Sequence, residues 1–225
     1  MIEYLASIDY SPLWISLKTA LVATLLCFIV GVPVAWKLYK TKWKGMAVLD
    51  ALFTLPIVLP PTVTGYFLLL LFSKRRPLGE FLFEKFDISI VQTWTGCIIA
   101  AFVVALPIVY MNAKAAFSQV DPELLDAGRT LGLSEFGTLI YVLIPVGANG
   151  LISGVILAFA RALGEYGATS MLAGNIPGKT STVSQVIAQV MSNQDFKATG
   201  VYVVLIFIIS VASIVVSAQV QKRLR

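Results

Sequence analysis

Long stretches without charge dominate the chain. Five windows contain no Asp, Glu, Lys or Arg: Thr19–Trp36, Ala51–Ser73, Ile88–Ala113, Phe136–Ala160 and Ala198–Gln221. Each is at least 18 residues long, and about 20 apolar residues of helix cross a bilayer core. Runs this long exceed a barrel strand, and in lipid the backbone polar groups must find partners within their own segment. The pattern predicts an all-α polytopic membrane protein with five transmembrane helices, at about residues 14–36, 47–72, 89–112, 138–162 and 199–220. Residues 1–225 read as a single transmembrane domain.

Prolines recur inside these windows: Pro33, Pro56, Pro60, Pro61, Pro107 and Pro145. In water each would break a helix. Within a bundle, neighbouring helices, hydroxyls or waters satisfy the carbonyls that proline frees. The densest case is the run from Leu55 to Gly65. A stretch so broken is expected to line a cavity or pack on a partner helix, and not to face lipid.

Two connections are too long to be turns. Residues 114–136 join spans three and four. Within them Asp121 is placed to cap a helix and Pro122 fits its first position. Leu124, Leu125 and Ala127 supply a small apolar face, and Gly132 either ends the helix or allows another chain to approach. Spacing alone leaves a docking helix and a plain connector equally open. Residues 165–197 join spans four and five. There Val183, Val186, Ile187, Val190 and Met191 recur at helical spacing, with Ser184, Gln185, Gln189 and Ser192 between them. This predicts a short amphipathic helix on the outer surface or dipping into the bundle mouth.

Composition sharpens the membrane reading. Hydrophobic residues make up 58% of the chain and charged residues 13%, against about 45–50% and 25% in soluble domains. Lipid must be the solvent for much of the surface. The chain has no histidine, which excludes Ser-His-Asp and Cys-His catalysis and His-ligated metals. Cys27 and Cys97 each sit in an apolar run and read as small buried hydrophobes. No metal site, cofactor or catalytic group is expected. The net charge of +5 sits mainly between apolar runs, not in a basic stripe interleaved with aromatics, so no nucleic acid partner is expected.

The basic residues also bear on sidedness. Five spans put the termini on opposite sides, and the Lys and Arg totals, 8 against 9, do not choose between them. The first span does. Only Lys18 precedes it, while Lys37, Lys40, Lys42 and Lys44 follow. The N-terminus is therefore expected outside and the C-terminus in the cytoplasm. An acidic head (Glu3, Asp9) before the first run and lysines after it are the wrong order for a cleavable signal peptide.

Three groups carry candidate chemistry. Arg161 and Glu165, spaced i, i+4 near the outer end of span four, read as an ion pair facing the pore or holding the helix end. Thr62 and Thr64 beside Pro60 and Pro61, with Thr169 and Ser170, offer hydroxyls either to an anion or back to carbonyls freed by Pro and Gly. These eight residues are the candidates for a translocation path. Ala173 to Thr180 fits a relaxed phosphate-binding-loop pattern, but a real one follows a buried strand and opens a helix. Here it follows a membrane span and reads as a Gly/Pro turn at the outer mouth.

At the first long connection the sequence resembles a family. Permeases of ABC importers carry Glu-Ala-Ala, a Gly four residues on, then Ile-x-Leu-Pro. Asp126-Ala127-Gly128, Gly132, and Val142, Ile144 and Pro145 are similar to it position by position. The departures are Asp for Glu, Gly for the second Ala, Val for Ile and Ile for Leu. The resemblance narrows to molybdate permeases through four strings: Leu55–Tyr66, Ala127–Gly132, Phe159–Thr169 and Asn175–Thr180. Sulfate and thiosulfate permeases share weaker versions of the first three.

The resemblance implies a type I importer permease in the inner (cell) membrane, acting as a homodimer within membrane lipid. Its partners would be two ABC ATPase subunits and a periplasmic or extracellular molybdate-binding protein. Glu123, Leu124, Leu125, Asp126, Ala127, Gly128 and Gly132 would form the cytoplasmic coupling helix that docks on the ATPase. The expected cargo is molybdate, with tungstate a similar dianion, and the alternative is sulfate or thiosulfate. The chain itself would do no covalent chemistry. An intramembrane protease would need Ser with His, paired Asp or a His-ligated metal, and a free-standing channel would have no use for a coupling loop.

Overall fold

The computed structural model describes residues 8–40 and 45–223. Glu3, Lys42, Lys44 and Arg225, which entered the charge pattern, lie outside the described residues. The described residues are mostly helical, joined by short turns and loops. The first span is α1, Ser11–Lys40. Then come α2 (Met46–Val58), α3 (Pro61–Phe72) and a short α4 (Pro77–Phe86). Helix α5 is Trp94–Ser118 and α6 is Pro122–Thr130. Next are α7 (Glu135–Val146) and α8 (Ala148–Leu163). The chain ends with α9 (Gly167–Ala173), α10 (Val183–Ser192) and α11 (Phe196–Arg223).

Three of these, Ser11–Lys40, Trp94–Ser118 and Phe196–Val216, are long and apolar enough to cross a membrane alone. Two further candidates are bent pairs, each a broken span or a re-entrant loop. Helices α2 and α3 meet at 114°, and α7 and α8 at 80°. The first bend was expected from its prolines. Leu59 and Pro60 are extended, and Pro61 restarts the helix at its first position, where a missing N–H costs nothing. The second is a finding. Pro145 has no N–H to give, and the turn Leu139–Leu143 widens so that Ile144 N–H donates to Leu139 O, five residues back. The chain then turns at Gly147.

Helices α1, α5 and α8 pack pairwise through small residues. Ala20, Ala23, Cys27 and Ala35 of α1 are buried with Ala101, Ala105 and Val109 of α5. A Cβ on Gly31 would lie 3.2 Å from Val109, and one on Gly154 only 2.8 Å from Asn112 Cβ. Small residues let helix backbones approach closely where lipid supplies no hydrophobic drive between them. Helix α11 differs. It touches α8 and α10 on one side and turns Phe207, Ile208, Val215 and Val216 outward, a face suited to lipid.

Two short helices sit at the bundle edges. Helix α10 matches the expected amphipathic helix, but its buried side carries Gln185 as well as Val183, while Met191 is exposed. It is pinned to the first span by Val183 N–H donating to Ser16 Oγ at 2.9 Å. Helix α4 was not anticipated. Pro77 starts it, left-handed Asp87 ends it, and Gly79 fits because any Cβ would strike Ser73 O at 2.2 Å.

Candidate functional site

The connection between α5 and α7 is a capped helix. Asp121 accepts from Glu123 N–H at 2.9 Å, and Pro122 takes the first position of α6. The helix ends at Thr130, and Leu133 N–H bonds back to Gly128 O at 3.1 Å. Gly132 closes the turn at φ +86°. A Cβ there would meet nothing within 4 Å. The glycine is thus required by its left-handed backbone and not by the approach of a neighbour within this chain.

The faces of α6 are divided. Leu125 and Gly128 point inward, and Leu125 joins the same core as α1, α5 and α8. Leu125, expected on the docking face with Leu124 and Ala127, is therefore an anchor. Glu123, Leu124, Asp126 and Ala127 are exposed. So is Leu131, which sequence reasoning passed over and which is 85% exposed. The only signal for it was a leucine at the end of a capped helix.

A run of charges ties α6 to the first span. Arg129 lies 2.8 Å from Asp126 and 3.5 Å from Glu135, and Glu135 pairs with Lys40 at the end of α1. Lys40 first, then Arg129, hold the Glu135 carboxyl below the usual carboxylate range. A second node lies beside it. Lys114 donates at 2.6 Å to both oxygens of Asp50, and Tyr110 donates to the same carboxylate. This clips the start of α2 to the end of α5. Sequence reasoning used Lys40 and Lys114 only as topology markers and missed both nodes.

The eight candidate path residues lie on two stretches, 60–64 and 161–170, that meet where the break between α2 and α3 packs on the segment after α8. A Cβ on Gly65 would lie 2.6 Å from Ala168 Cα, and one on Gly167 would lie 2.9 Å from Pro61. Pro61 is half-buried, Pro60 and Thr62 are exposed, and Thr64 is buried. The Thr64 hydroxyl has no hydrogen-bond partner among the described residues. Thr169 is buried and Ser170 half-buried.

Arg161 and Glu165 do pair, with Nη1 2.6 Å from Oε2. The pair is not within one helix, because α8 ends at Leu163. Glu165 is 2% exposed, and its other oxygen accepts from Ala168 N–H at 2.8 Å. The carboxylate thus fixes the start of α9 while the guanidinium covers its charge. The junction offers hydroxyls, a neutralised ion pair and bent backbone. It holds no acid–base pair around a reacting centre. Among the described residues, no three of His, Cys, Asp and Glu gather as metal ligands.

The loop after α9 is not a phosphate cradle. A helix precedes it, and the N–H groups of Lys179, Thr180 and Ser181 all bond to the Ile176 carbonyl at 3.0–3.1 Å. Those donors are already engaged. Gly174 and Gly178 take positive φ, at +66° and +72°, and Thr180 Oγ1 bonds to Gly174 O. Lys179 is exposed.

Comparison with known proteins bears on this arrangement. The family described as "Binding-protein-dependent transport system inner membrane component" matches residues 23–224. The molybdenum transport system permease protein ModB of Escherichia coli (strain K12) is 38% identical over 175 residues, 78% of this chain and 76% of that one. The sulfate transport system permease protein CysT of the same organism is 35% identical over 186 residues, 83% of this chain and 67% of that one. Among solved structures, a chain of the MetNI methionine ABC transporter in an inward-facing conformation superposes with a TM-score of 0.76. It is 16% identical, and each chain is covered in full.

Proposed function

The chain belongs to the binding-protein-dependent transport system inner membrane component family, and from that premise we propose that it imports molybdate as the membrane subunit of an ATP-driven importer. It is a multi-pass inner-membrane protein and a transport subunit, and ATP is hydrolysed by a partner. The observation that carries the cargo is the 38% identity to the Escherichia coli molybdenum permease over three quarters of each chain. The molybdate-like string Asn175-Ile176-Pro177-Gly178 adds to it.

In this reading two copies of the chain face each other. Each lends its broken-span junction to a shared path, since five helices with two bent pairs hardly enclose one alone. Two ATPase subunits dock on α6 through Glu123, Leu124, Asp126, Ala127 and Leu131. A periplasmic or extracellular binding protein delivers the anion at the opposite face. The N-terminus lies outside and the C-terminus in the cytoplasm, which puts α6 with the ATPase. Docking and release of the ATPase move α6, and the Arg129–Glu135–Lys40 charges carry that motion to the first and fourth spans.

Sulfate is the second reading, favoured by the 35% identity to the sulfate permease. Reconstitution with the ATPase subunit and binding protein separates the two. The expected result is ATP-dependent molybdate uptake that excess sulfate leaves largely intact. Sulfate uptake without molybdate uptake overturns the cargo, and ion flux without the ATPase overturns the transporter class.

A further inference from the structure

A cavity of about 200 Å³ stands beside the junction, lined by Tyr166, Ser170, Asn175, Gln185, Gln189 and Ser192 among others. Among the described residues, no lysine, arginine or carboxylate lines it. Its wall is cross-tied. Asn175 Nδ2 donates to Gln189 Oε1 at 2.9 Å, and Ser181 Oγ donates to Asn175 Oδ1 at 2.5 Å. Gln185 Oε1 accepts from Thr182 N–H at 2.9 Å, while its Nε2 donates to Gly174 O at 2.8 Å and to Ser170 Oγ at 3.4 Å. Ser170 sits on α9, one turn beyond the Gly167 and Ala168 that pack on Pro61 and Gly65.

These bonds leave donors over: the Gln189 Nε2 group, the second hydrogen of Asn175 Nδ2 and the Ser170 hydroxyl proton have no partner among the described residues. The amide oxygens of Asn175, Gln185 and Gln189 each accept one bond and keep a second lone pair. With free donors and no carboxylate in its lining, the surface suits a ligand rich in acceptors.

We propose that this cavity is a transit subsite for a tetrahedral oxyanion, held by neutral amide and hydroxyl donors. The proposal rests on the importer reading above. Four oxygens at a water's share of about 30 Å³ each need roughly 120 Å³, which the cavity supplies. Bonds to a charged acceptor are strong enough to admit the dianion. The absence of a cation from the lining keeps it from being trapped, as a path requires.

The test uses the importer reconstituted with its ATPase subunit and binding protein, and initial uptake of radiolabelled molybdate. Gln189→Glu keeps the acceptor for Asn175 and the cavity's size but replaces the donor with an anion. Uptake should fall about tenfold or more, the loss expected for a donor to a charged group. Ser170→Ala should lower it severalfold. In both variants ATP hydrolysis stimulated by loaded binding protein should stay near wild type, since no docking surface is touched. Wild-type uptake in both variants overturns the subsite. So does a parallel loss of uptake and ATP hydrolysis, which marks a packing role. If the unmutated importer moves no oxyanion, the importer reading itself fails and takes the subsite with it.

Discussion

Lys40 and Glu135, 95 residues apart in sequence, form an ion pair that joins the end of the first span to the start of the fourth. Arg129 of α6 reaches the same carboxylate. Three segments on the predicted cytoplasmic side therefore share one anion, and a displacement of α6 is felt at two spans. Glu135→Gln should leave insertion and complex assembly intact while lowering the uptake obtained per ATP hydrolysed severalfold. Exchanging the charges, with Lys40→Glu and Glu135→Lys together, should recover part of it. Unchanged coupling in the single variant would assign the pair to surface decoration.

The same carboxylate sets a pH dependence. Its pKa is lowered by Lys40 and Arg129, so the ionised contact is fully present above the ordinary carboxylate value. It is lost only as pH falls through the lower, folded value. Coupling should stay flat from about pH 8 to about pH 5, since the ordinary Glu value is already about 4.3. A fall in coupling within that window that Glu135→Gln abolishes would contradict the assignment.

Gly132 tests the end of α6. Its φ of +86° costs a residue with a side chain about 1–2 kcal/mol. Gly132→Ala should weaken co-purification of the ATPase and lower uptake. Gly132→Asn should retain more of both, because Asn tolerates this conformation. Equal behaviour of the two variants would locate the effect in the added bulk.

Gly65 tests the junction. Any Cβ there lies 2.6 Å from Ala168 Cα and 2.8 Å from Met171 Cβ. Gly65→Ala should destabilise the protein by about 1–3 kcal/mol, the usual cost of overpacking. The readout is the thermal midpoint in detergent. Gly178→Ala serves as a comparison, strained by its φ of +72° but with nothing near its Cβ.

Sidedness follows from labelling. Cys27 and Cys97 are both buried, so a single added cysteine dominates the signal. Ser134→Cys should react with a membrane-impermeant maleimide only from the cytoplasm, and Lys179→Cys only from outside. The reverse pattern would invert the whole topology.

Much of this architecture was legible because lipid imposes simple rules. Three of the five charge-free windows fall on helices long enough to cross alone and two on bent pairs, and Asp121-Pro122 marks the start of α6. The bend at Gly147 was harder to read. Pro145 alone does not distinguish a kink from a helix whose ladder is repaired, and the widened turn at Leu139–Leu143 has no composition of its own. Glycine gave the first bend its meaning only in three dimensions, since Gly65 and Gly167 are contacts between segments about a hundred residues apart in sequence. The Asp50–Lys114 and Lys40–Glu135 nodes were invisible for the same reason. Each charge sits at the end of a different span, and a linear reading assigns such charges to topology. Leu125 shows the limit of spacing within one helix. Its period matched an apolar face, but nothing in the period tells an inward leucine from an outward one.

The glycine and alanine seam among α1, α5 and α8 has a mechanical consequence. Backbones in near contact mesh like closely cut gears, and sliding one past another by a residue would drive a side chain into a main chain. That trio behaves as a chassis. Movement that opens one mouth and closes the other, as the importer reading requires, would be taken up where the ladder is already interrupted, at Leu59–Pro60, at Gly147 and at the turn after Leu163. In that reading the same proline and glycine positions that cost helix stability would serve as the joints.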